Sequence, residues 1–125
     1  MATALITGIT GQDGLYLAQL LLEKGFEVFG TTRDSLTKGK QRLSLFSIDE
    51  DVQLVQLDTL DTEAVLRLVD KTSPDHIYNL AAPSSVAQSF RQPAETIESI
   101  TQGALNLLEA IRISSPQIRF YQASS

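Results

Sequence analysis

Residues 4–34 read ALITGITGQDGLYLAQLLLEKGFEVFGTTRD, with Gly8, Gly11 and Gly14 at intervals of three. The glycines separate two segments of different period. Before them, residues 3–7 form a short, mostly apolar run of the kind that makes a strand buried on both faces. After Gly14, residues Leu15, Leu17, Ala18, Leu21 and Leu22 recur at helical spacing until Lys24 and Gly25, a basic last turn followed by a glycine stop. Residues 26–32, FEVFGTT, return as a strand. Taken alone, a glycine triplet marks a tight turn as readily as a ligand site. Here it closes a strand, opens a helix and lies in a strand–helix–strand unit of about 30 residues, the setting in which a dinucleotide pyrophosphate is held. Gly8 then makes the turn, Gly11 lets bare backbone approach the phosphates, and Gly14 lets helix and strand pack closely. The helix N-terminus supplies N–H donors and a favourable dipole. Asp13 suits that dipole but would repel a pyrophosphate, so it is expected to cap the helix and face away.

The same alternation continues outward. Residues 33–51 are polar, a loop with a short helix expected near 40–46. Residues 52–58 read as a third strand, 61–72 as an amphipathic helix and 76–82 as a fourth strand. Residues 83–92 show no clear period. Pro93 suits the first turn of a long helix over 94–113, with Ile97, Ile100, Ala104, Leu107, Leu108 and Ile111 on its inner face. Residues 118–124 form a fifth strand. Strands alternating with helices imply parallel pairing through right-handed crossovers. The expected fold is α/β: one Rossmann-like doubly wound domain over 1–125, strand order 3-2-1-4-5, incomplete at its C-terminal side. Its switch point falls between the first and fourth strands, flanked by the Gly8–Gly14 and Ala81–Ser85 loops, where such sheets bind ligands.

Composition narrows the function. Ten Lys and Arg against fifteen Asp and Glu leave a net charge of -5, which argues against a nucleic-acid partner because that needs a basic face. Cysteine is absent, so there is neither a disulfide nor a thiolate metal site or nucleophile. No signal peptide or membrane span is legible, and a cytoplasmic location is expected. Asp49, Glu50 and Asp51 lack metal-site spacing, and no metal is expected. His76 is the single histidine, and a structural role is expected for it.

The second strand decides the cofactor. NAD sites place an acid at its end to hold the ribose hydroxyls. Here the end reads Thr31, Thr32, Arg33, Asp34. Arg33 favours a 2′-phosphate and hence NADP, while Asp34 keeps NAD open. Lys38, Lys40 and Arg42 are read as a solvated loop. Asp58 ends the third strand, where it would either accept from an adenine amine or cap the helix that follows.

The segments TGITGQDGLYLAQLLLEKGFEVFG, YNLAAPSSVAQSF, LLEAIR and RFYQASS together resemble the GDP-mannose 4,6-dehydratase family of extended short-chain dehydrogenase/reductases. GDP-4-keto-6-deoxymannose reductase is similar in the same places. The resemblance implies an NADP-dependent lyase acting on a GDP-mannose-class sugar nucleotide. Hydride leaves C4 of the hexose, the ketone acidifies C5, water departs from C6, and hydride returns there. A Ser/Thr, a Tyr-x-x-x-Lys pair and a Glu share the proton work, the Lys lowering the Tyr pKa. By position, Gly8, Thr10, Gly11, Gln12, Asp13 and Gly14 fall in the pyrophosphate loop and Arg33 at the 2′-phosphate. Asp58 falls beside the adenine, Leu80, Ala81 and Ala82 near the ribose, and Ser84 where cofactor meets substrate. Ser125 matches the catalytic Ser/Thr. The Glu, Tyr and Lys would follow it, so the chain alone is expected to be inactive. Asp34, Thr59, Pro83 and Ser85 depart from the family pattern. The competing readings are a reductase half, a non-catalytic dinucleotide-binding module, and a self-associating remnant that binds nothing. Homo-oligomers are expected from the family.

Overall fold

The computed structural model describes residues 1–81 and 93–123. Five strands, β1 (Thr3–Thr7), β2 (Glu27–Thr32), β3 (Val52–Gln56), β4 (His76–Asn79) and β5 (Arg119–Gln122), form one parallel sheet in the order β3-β2-β1-β4-β5. Among the described residues four helices connect them: α1 (Gln12–Glu23), α2 (Leu36–Ser44), α3 (Thr62–Thr72) and α4 (Pro93–Ser114). The expected order and parallel sense are both present.

β1 is the centre of the molecule. Ala4, Leu5 and Ile6 are all fully buried, and their alternation feeds two separate cores. Ala4 and Ile6 point to the layer of α1 and α2 and pack with Leu15, Ala18, Leu21 and Leu43. Leu5 points the other way, to Val65, Leu68 and Val69 of α3 and Leu107, Ala110 and Ile111 of α4. Such double-sided burial is what parallel pairing demands, because the crossovers lay helices over both faces.

Three boundaries differ from expectation, each for a local reason. α2 begins at Leu36 rather than near residue 40, because the Ser35 hydroxyl accepts from the Lys38 N–H at 3.2 Å and caps it. Gly39 hides this start by lowering helix propensity. Its place is set by packing, since a Cβ there would lie 2.5 Å from Leu54 Cδ2. β4 stops at Asn79 instead of residue 82: the Leu80 N–H still reaches the Thr7 carbonyl at 3.1 Å, but β1 turns away at Gly8 (φ +69°) and the Ala81 N–H goes to the Thr7 hydroxyl instead of a strand carbonyl. β5 is likewise shorter, ending at Gln122.

The inner face of α4 is also rotated from the expected one. Leu107 and Ile111 are buried as expected, but Ile100 and Leu108 are 37% and 44% exposed. Gly103, Asn106 and Ala110 take the inner positions instead. A close contact sets the rotation: a Cβ on Gly103 would lie 2.8 Å from Thr59 Oγ1, and the Asn106 amide donates to the Thr59 carbonyl at 2.8 Å. The Ile97 side chain lies outside the described residues.

On the α1 side of β4 and β5, Tyr78 and Tyr121 stack with ring centroids 4.7 Å apart, and His76 adjoins both. Burial, and then the neighbouring Tyr121, pushes the Tyr78 phenol above its ordinary pKa.

Candidate functional site

The β1–α1 turn carries two kinds of glycine. Gly8 adopts φ +69°, and a Cβ on it would lie 2.8 Å from the backbone of Ala81. A Cβ on Gly14 would lie 2.6 Å from the Ile9 carbonyl oxygen. Both are glycines because protein backbone fills the space. Gly11 is different: its φ of -72° suits any residue, and among the described residues a Cβ would meet only the Gly8 carbonyl oxygen at 3.6 Å. Neither its conformation nor its packing against the described residues demands glycine at that position.

Gly11 is the N-cap of α1 and provides no side-chain cap, so the first-turn N–H groups of the helix open outward. They face a cleft of about 360 Å³ whose wall includes Gly8, Gly11, Gln12, Asp13, Gly14, Leu80 and Ala81. An uncapped helix mouth with an unobstructed glycine fits a pyrophosphate. Asp13 is in the first turn and part of this wall, but it forms no capping bond, contrary to the capping role expected. Ile100, expected in the core, borders the same cleft.

A second cleft, of about 440 Å³, continues from Gly8 and Gly11 toward the end of β2. Thr10, Thr32, Arg33 and Asp34 border it, and so does Arg42, which sequence reasoning had assigned to solvent. Arg42 Nε donates to the Thr10 carbonyl at 3.1 Å, so α2 is tied to the glycine loop. Thr32, the last residue of β2, is buried, and its hydroxyl accepts the Asp34 N–H at 3.1 Å. Across the cleft the wall at the end of β3 is Leu57 and Thr59 rather than Asp58. The Asp58 carboxylate accepts the Leu60 N–H at 3.0 Å. The helix cap proper is Asp61, which accepts from the Ala64 N–H at 3.1 Å.

A polar chain that sequence reasoning missed crosses the strand ends below the site. Thr7 Oγ1 donates to Asn79 Oδ1 and accepts the Ala81 N–H at 3.3 Å. Asn79 Nδ2 donates to Gln122 Oε1 at 2.7 Å. Thr7 and Asn79 are buried, so these bonds satisfy groups that would otherwise destabilise the core. Each lies in an unremarked strand position, and only the cross-strand register brings them together. This chain fixes the backbone of Leu80 and Ala81 beside the glycine loop. Ala82, Ser84 and Ser125 lie outside the described residues.

A larger cleft of about 810 Å³ lies at the opposite end of the sheet, near Ser73, Asp75 and His76. Parallel sheets bind ligands at the carboxyl ends of their strands, and this one has no glycine cradle or helix N-terminus. No described helix is long and apolar enough to cross a membrane.

A parallel 3-2-1-4-5 sheet with a glycine-rich turn at its switch point defines a Rossmann-like domain. Solved structures agree. UDP-glucose 4-epimerase from Thermotoga maritima superposes with a TM-score of 0.81 at 25% identity, over 98% of this chain and 38% of that one. A Bordetella bronchiseptica enzyme in complex with NAD+ gives 0.74 at 26% identity, over 96% and 38%. The sequence profile described as GDP-mannose 4,6 dehydratase matches residues 5–125, and the chain belongs to that family. The GDP-mannose 4,6-dehydratase of Yersinia enterocolitica is 46% identical over all of this chain and 36% of its own length. The chain thus spans about a third of the curated relatives it matches.

Proposed function

We propose that this chain is the cofactor-binding part of an NADP-dependent GDP-mannose 4,6-dehydratase. The observation that carries the reading is Gly11, a glycine at a helix mouth with no side-chain cap, where the described residues supply no reason for one. A pyrophosphate supplies it. The family relatives and the NAD+-bound structural neighbour support the same reading. NADP is favoured over NAD by the end of β2: where an NAD site carries its acid, Thr32 is buried and engaged with Asp34 N–H, and Arg33 follows.

In the reaction proposed, bound NADP would supply the hydride chemistry. The chain's own residues bind and orient. The first-turn N–H groups and Gly11 hold the pyrophosphate, Arg33 meets the 2′-phosphate, and Leu80, Ala81 and Ala82 flank the ribose. In this reading Ser84 contacts substrate and Ser125 hydrogen-bonds the sugar oxygen. The substrate is a GDP-mannose-class sugar nucleotide, and copies associate through α4, whose Leu105, Leu108 and Ile113 are exposed.

Titration of the chain with NADPH, followed by nucleotide fluorescence, tests the cofactor reading. NADPH should bind, and Gly11→Val should abolish binding while leaving the fold intact by circular dichroism. An unmodified chain that binds neither NADPH nor NADH would overturn it.

A further inference from the structure

We infer that Arg42 is a second cation for the adenosine 2′-phosphate, delivered by α2 and aimed by the glycine loop. The inference rests on the NADP reading above. Arg42 lies in the last turn of α2, and its side chain reaches back to the β1–α1 turn, 32 residues earlier, where Nε donates to the Thr10 carbonyl at 3.1 Å. That is its one hydrogen bond among the described residues. A guanidinium held through Nε keeps its two terminal amino groups for an anion, in the planar fork that suits phosphate.

The position is built from the packing of α2. Leu43, beside Arg42, is fully buried, and Gly39, one turn earlier, lets α2 approach Leu54 and Thr32 closely. The helix is thereby seated on the β2–β3 part of the sheet. Arg33 and Arg42 consequently border one cleft of about 440 Å³, Arg33 directly after β2 and Arg42 from the last turn of α2. Asp34 borders it too and balances part of the positive charge in the absence of ligand. Two cations and one carboxylate favour a doubly charged phosphate over a pair of neutral hydroxyls.

A plain strut between α2 and the glycine loop would also explain the Thr10 bond, so the test must separate the two roles. NADPH, NADH and adenosine 2′,5′-bisphosphate are each titrated into the unmodified chain, Arg42→Gln and Arg42→Lys. The bisphosphate carries the 2′-phosphate without nicotinamide or pyrophosphate. Arg42→Gln should weaken NADPH and the bisphosphate by roughly tenfold to a hundredfold and leave NADH nearly unchanged, as for loss of a charge-assisted bond. Arg42→Lys should recover part of that loss. Equal weakening of NADPH and NADH would make Arg42 a strut and overturn the inference, as would no change in either. An unmodified chain that prefers NADH overturns it too, through the NADP reading, and that result is seen before any variant is made.

Discussion

Gly11 and Gly14 are three residues apart, yet a methyl group added to each meets opposite surroundings. At Gly14 it strikes the Ile9 carbonyl oxygen at 2.6 Å, and backbone there has no room to yield. Gly14→Ala should therefore destabilise the domain by about 1–3 kcal/mol, the usual cost of overpacking. Thermal unfolding should show a midpoint several degrees lower. At Gly11 the nearest atom is 3.6 Å away, so Gly11→Ala should leave the midpoint unchanged and weaken NADPH. Equal midpoints for the two variants would refute this division of roles. The triplet was legible in sequence as a triplet, and so was its place between a strand and a helix. Arg42 was not. Lys38, Lys40 and Gln41 just before it are polar and exposed, and only folding brings it against Thr10.

At the scale of elements, the strands and helices were readable because their periods differ sharply, while their ends depended on contacts. The start of α2 rests on a serine cap, and the face of α4 on one glycine and one asparagine. Asn106 shows the limit most plainly. It accepts from Thr62 Oγ1 and Gln102 Nε2 and donates to the Thr59 carbonyl, anchoring the wall of the second cleft. An asparagine within GALNLLEA breaks an apolar run, which was the available signal, but nothing local names its partner. The tyrosine pair of β4 and β5 gives a pH prediction. The folded state keeps Tyr78 neutral beyond the pH at which an unfolded tyrosine ionises, so its contribution is full below about pH 10 and is lost as pH rises through the raised folded value. Denaturant midpoints measured through that alkaline range should fall more for the unmodified chain than for Tyr78→Phe. Parallel pH profiles for the two proteins would count against the shift.

For the molecule as a whole, topology was the most legible property, because alternating strands and helices admit few arrangements. What sequence alone assigned wrongly was surface. Leu108 was expected inside and is 44% exposed, with Leu105 and Ile113 also outward on α4. If copies associate through this helix, light scattering should report a mass above the monomer, and Leu108→Glu should lower it. An unchanged mass for that variant would remove α4 from the interface.

The central place of β1 also has a consequence for biosynthesis. This strand leaves the ribosome before the other four, but its hydrogen-bonding neighbours are β2 and the far later β4, where Thr7 pairs with Asn79. Leu5 waits longer still for α4 to cover it. A chain emerging at a few residues per second thus carries its most apolar strand unprotected while most of the domain is being made. Within this domain, the residues that finally form the interior are the ones a chaperone would meet before the rest.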